Sequence, residues 1–116
     1  MFLDTVPRSD YSFDFYQLDA HSFAIYPQEF KLTYVTLGLV GEAGEFADKV
    51  KKILRGDKTL QDQRESLLAE AGDVMWYLAE AATVLGVTLQ EIAEANIRKL
   101  SSRKERSVIK GSGDER

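Results

Sequence analysis

Two short acidic strings stand out in this chain. Glu42-Ala43-Gly44-Glu45 and Glu70-Ala71-Gly72-Asp73 each set two carboxylates three residues apart with a glycine between them. On a helix, a spacing of three puts both side chains on one face. Leu39, Val40 and Phe46 flank the first string, and Leu67, Leu68 and Val74 flank the second. The acids therefore border apolar stripes and are not part of a purely solvated face. If the two strings lie level on neighbouring helices, four carboxylates converge in a partly dry place. Like charges that close stay ionised only if a cation neutralises them. A hard divalent ion with oxygen ligands suits the site, and magnesium, for which manganese can substitute, also bridges phosphates. A glycine inside a helix is about 1 kcal/mol worse than alanine, so Gly44 and Gly72 suggest a close backbone approach. The competing reading is a charged seam, in which Glu45 pairs with Lys49 one turn on. Against it, Val74 and Tyr77, not basic residues, follow Glu70 and Asp73 by four positions.

The elements that must position these acids read as four helices, at about residues 10–26, 29–55, 62–86 and 88–102. Ser9 or Asp10 can cap the first, whose apolar positions are Phe13, Tyr16, Ala20, Phe23 and Ala24, and Pro27 ends it. Leu32, Val35, Leu39, Phe46, Val50 and Ile53 mark the second, which closes at Gly56. Asp62 with Glu65 suggests a capping box for the third, with Leu67, Leu68, Val74, Leu78, Ala81, Ala82 and Leu85 buried and Gly86 as the stop. Thr88 with Glu91 is a second capping box, opening a helix that turns Ile92, Ala95 and Leu100 inward. The short connection at residues 56–59 makes helices two and three antiparallel neighbours. The expected fold is an all-α, four-helix-bundle subunit in one domain, residues 1–116. The tail, residues 104–116, loses the helical period.

Composition narrows the function classes. The 116 residues are 44% hydrophobic and 29% charged, with a net charge of −4 and no cysteine. A disulfide framework and a thiolate zinc site are excluded. The charge offers no basic footprint for nucleic acid. No apolar run approaches a membrane span, and the first residues do not read as a signal peptide. The expected location is the cytoplasm.

With these strings in order, followed by Asn96-x-x-Lys99-x-x-x-Arg103, the chain resembles the MazG-like all-α nucleoside triphosphate pyrophosphohydrolases, relatives of the dimeric dUTPases. The resemblance covers about residues 32–103. It implies a subunit that assembles as a dimer or dimer of dimers, with magnesium held by Glu42, Glu45, Glu70 and Asp73. It also implies a metal-activated water that attacks the α-phosphorus, giving nucleoside monophosphate and pyrophosphate. Glu45 is the candidate general base. Asn96, Lys99 and Arg103 share a helix face suited to phosphate. Tyr77 is a candidate for stacking on the nucleoside, although core packing is the simpler role for it and for Trp76. Gln17, with Tyr16, is a candidate for reading the base, as a glutamine does in the related dUTPases. His21 is assigned nothing. The tail could fold over nucleotide as a flap, with Arg106 or Lys110 near phosphate and Gly111 and Gly113 exposing backbone amides. Gly41, Ala69 and Ser66 stand where some relatives carry acids or lysine, leaving the metal count open. The variants to weigh are a dUTP or dCTP specialist and, from another class, a non-enzymatic helical dimerisation module.

Overall fold

The computed structural model describes residues 10–114. They form an all-α fold of four helices packed together: α1 (Phe13–His21), α2 (Lys31–Leu54), α3 (Leu60–Leu85) and α4 (Leu89–Glu105), with a 3-10 turn at Gln28–Phe30 leading into α2. Ser9 lies outside the described residues. Ser12, not Asp10, caps α1, its hydroxyl accepting from the Phe15 amide at 3.2 Å.

Helix α1 ends at His21, short of Pro27. The reason is tertiary. Nε1 of Trp76 on α3 donates to the Ala20 carbonyl at 3.0 Å, and the amides of Phe23 and Ala24 close tight turns onto Ala20 and His21. The chain then swings Tyr26 into the interior, where it stacks on Tyr34 and meets Trp76 edge-on. The capping box of α3 belongs to Thr59 and Asp62, one turn earlier than Asp62 with Glu65. Thr88 and Glu91 cap α4 as their spacing predicts. Gly86, at φ 75°, closes α3 in the left-handed region that glycine adopts without penalty.

Helix α3 is the hub. It packs on α1, α2 and α4, whereas α2 and α4 share no contact. Val35, Leu67, Ala79 and Ala82 are buried along its seams. Several residues expected inside are not: Leu68, Leu78 and Leu85 on α3, and Ile92 and Leu100 on α4, remain substantially exposed, and Ala95 is exposed too. Their apolar character spreads beyond the seams that one chain can cover. The Cα radius of gyration is 17.1 Å, against about 13 Å for a compact chain of this length. Among the described residues no helix is long and apolar enough to cross a membrane.

Candidate metal and phosphate site

Long, antiparallel packing of α2 on α3 brings both acidic strings to one seam. Glu42, Glu70 and Asp73 each offer a carboxylate oxygen, and these oxygens lie within 4.8 Å of one another. Glu42 and Glu70 are half-buried and Asp73 is exposed. The carboxyl of Glu42 is held above the usual carboxylate range, first by burial, then by a hydrogen bond with Glu70 and by the charges of Asp73, Glu70 and Glu45. A trio of acids in which one is pushed toward its protonated form is short of positive charge. An all-oxygen donor set of this kind fits a hard divalent cation.

Glu45 stands outside the trio. It is exposed on α2 one turn beyond Glu42 and makes no ion pair among the described residues. The Glu45–Lys49 pair of the charged-seam reading does not form among the described residues. Lys49 reaches across the seam to Glu70, Nζ to Oε1 at 3.1 Å, with both side chains mostly covered. That pair could not be found from spacing along one helix, because it depends on how α2 and α3 register.

The motif glycines do not mediate the close approach. A Cβ added at Gly44 or Gly72 would meet nothing within 4 Å. Gly38 is the contact point: a Cβ there would fall 2.1 Å from Cε1 of Tyr77. The Tyr77 ring thus lies on bare α2 backbone, edge-on to Trp76 and tilted against Tyr34. Its phenol is raised by burial, then by Tyr34 and by the charge of Glu42, with Asp73 also contributing. Tyr77 therefore borders the acids while serving the aromatic core.

On the other side of α3, a groove of about 590 Å³ opens against α1, lined by Tyr11, Phe13, Tyr16, Leu68, Gly72 and Met75. The Tyr16 phenol is raised by burial, then by the charges of Asp73 and Glu80, and its side chain lines this groove. Gln17 is buried. Its Nε2 donates to Thr83 Oγ1 at 3.1 Å and to the Val87 carbonyl at 2.9 Å, and its Oε1 accepts from the Leu89 amide at 2.8 Å. This carboxamide ties α1 to the α3–α4 junction, and reading a base would require breaking those bonds. His21 Nδ1 and the Tyr26 hydroxyl both meet Oε1 of Glu80, at 3.0 and 2.7 Å. Glu80 is fully buried, a polar pin inside an apolar run that periodicity alone did not disclose.

The cationic face of α4 is also assembled. Asn96 is exposed, Lys99 half-buried and Arg103 buried. Arg103 and Lys99 meet the tail at Asp114, not the acids, since α4 does not touch α2.

Three carboxylates thus converge on the seam of an antiparallel helix pair in an all-α fold, an all-oxygen cluster that could hold a divalent cation. Residues 30–108 match the MazG nucleotide pyrophosphohydrolase domain, and the chain belongs to that family. It is similar to the Gene 37 protein of Mycobacterium phage L5, 52% identical over 111 residues that cover 89% of this chain and 97% of that protein. No solved structure gives a significant match.

Proposed function

We propose that the protein hydrolyses nucleoside triphosphates, ribo- or deoxyribo-, to the monophosphate and pyrophosphate with magnesium, in a nucleotide-pool house-cleaning role. The observation that carries this reading is the convergence of Glu42, Glu70 and Asp73 within 4.8 Å, in a chain of the MazG family. A bound magnesium ion would lower the pKa of an attacking water and shield phosphate charge. The trio supplies its ligands, and Glu45 extends the set from the same face of α2. Exposed and outside the tight cluster, Glu45 is the carboxylate best placed to take a proton from that water. Asn96, Lys99 and Arg103 receive the phosphate chain, with the Arg103 guanidinium suited to two-point contact. Tyr77 at the seam and the aromatic groove along α1 offer flat surfaces for a nucleoside.

The subunit also invites self-association. It exposes 8873 Å², whereas a compact monomer of its mass exposes about 6,400 Å². The difference exceeds what a standard protein–protein interface buries. A second copy laid over the open faces would cover Leu68, Leu85 and Ile97, and could carry its α4 cations to the α2–α3 acids. Light scattering should then give a dimer or tetramer mass.

A panel of NTPs and dNTPs with magnesium tests the activity. Pyrophosphate should appear with at least one nucleotide, and Glu42→Gln and Asp73→Asn should abolish turnover without loss of helical circular dichroism. Full activity in both variants would remove these acids from the reaction.

A further inference from the structure

Lys99 and Arg103 already hold an anion, and it is the chain's own. Nζ of Lys99 donates to Asp114 Oδ1 at 3.1 Å, and Nη2 of Arg103 approaches the same oxygen at 3.3 Å. The same Nη2 also donates to the carbonyls of Gly113 and Asp114 at 3.3 and 3.1 Å. Ser107, Gly111 and Gly113 adopt positive φ of 59°, 127° and 84°, bending the tail back onto α4.

The two sides of this contact differ in kind. The Arg103 side chain is 4% exposed, whereas that of Asp114 is 84% exposed. With the tail in place the cation is covered, while the carboxylate that meets it stays open to solvent. Arg103 Nε, moreover, is buried without an acceptor among the described residues. One carboxylate oxygen thus uses one edge of the guanidinium and leaves another donor unmet. A phosphoryl group carries more oxygens and more charge, and can meet both.

We propose that Asp114 and the segment carrying it are an internal occupant of the phosphate seat, displaced when a polyphosphate binds. The proposal rests on the reading of Lys99 and Arg103 as phosphate ligands. An ion pair with so exposed a partner is weak, so a chain of several phosphates outcompetes it while a single phosphate does so less well. The tail is then a gate set by charge: closed on the empty seat, released by a polyanion.

The test uses the full chain, inorganic tripolyphosphate as the probe, and EDTA throughout, so that binding reports the cations and not a metal on the acids. Asp114→Asn should bind tripolyphosphate about three- to tenfold more tightly than the wild type by calorimetry. Tripolyphosphate should also speed tryptic cleavage after Lys110 severalfold in the wild type, and Asp114→Asn should be cut faster even without it. Equal or weaker binding by the variant, no binding by either protein, or slower cleavage on adding tripolyphosphate would each overturn the proposal. The readouts need no turnover. Nucleotide hydrolysis with no effect of Asp114 removes the internal occupant alone. Displacement in a protein that hydrolyses no nucleotide keeps the gated seat and removes the enzymatic reading.

Discussion

Replacing Glu42 with glutamine separates a metal site from a mere charged seam, because the two predict opposite responses to magnesium. The trio's oxygens lie within 4.8 Å. Two full charges at that distance repel by about 0.9 kcal/mol in water and about 3.5 kcal/mol at an effective dielectric constant of 20. Glu42 is half-buried and Lys49 offsets part of the charge on Glu70, so the relief in Glu42→Gln is about 1–2 kcal/mol at neutral pH in EDTA. For a chain of this length that raises Tm by about 4–8 °C. Magnesium reverses the order. At a hundredfold excess over Kd the wild type gains about 2.7 kcal/mol, and the variant, short of one ligand, gains far less.

The pH dependence has a defined sign. The folded pKa of Glu42 is raised, so between its unfolded and folded values the native state binds the extra proton. Metal-free stability therefore falls as pH rises through that window. The advantage of the variant should fade as pH drops toward the ordinary carboxylate value. Thermal melts at several pH values, with EDTA and with magnesium, read all of this. A variant less stable than the wild type in EDTA, or one that gains as much from magnesium, would refute the reasoning.

Four further substitutions probe the parts that position the site. Lys49→Met should cost about 1 kcal/mol in the metal-free protein and tighten magnesium binding a few-fold by calorimetry, because Glu70 loses a competing cation. Gly38→Ala should lower stability by about 1–3 kcal/mol in a denaturant titration, since its Cβ would meet the Tyr77 ring, whereas Gly44→Ala should raise it by up to about 1 kcal/mol. Gln17→Leu breaks three hydrogen bonds at the α1–α3–α4 junction and should destabilise by about 2–4 kcal/mol, visible as a lower urea midpoint.

What could be read before the fold was known follows from local rules. Thr88 with Glu91 announces a helix start because both partners of the box lie within one turn. The paired acidic strings announce a shared acidic cluster because helical spacing and a short connection fix where they fall, and three of the four acids, Glu42, Glu70 and Asp73, do converge while Glu45 does not. Other features depend on neighbours remote in the chain. Helix α1 stops early because Trp76, 56 residues on, takes the Ala20 carbonyl. Lys49 chooses Glu70 over Glu45 because the α2–α3 register, not the sequence step, sets the distance. The glycines that looked like contact points face open space, and the one that is a contact point, Gly38, lies in an ordinary apolar run. Asp114 gave no signal at all, since a lone acid in a polar tail has no period to place it. The apolar residues of α3 and α4 are helical in spacing but outnumber the seams available in one chain, so their positions predicted a helix correctly, and burial correctly for Leu67 and Ala82 but not for Leu68, Leu78, Leu85, Ile92 and Leu100.

The most direct measurement is the identity of the products, by phosphorus NMR of a nucleoside triphosphate hydrolysed in oxygen-18 water with magnesium. Monophosphate and pyrophosphate are expected, with the isotope shift on the monophosphate alone, as attack at the α-phosphorus requires. Diphosphate with orthophosphate, or label in pyrophosphate, would contradict it.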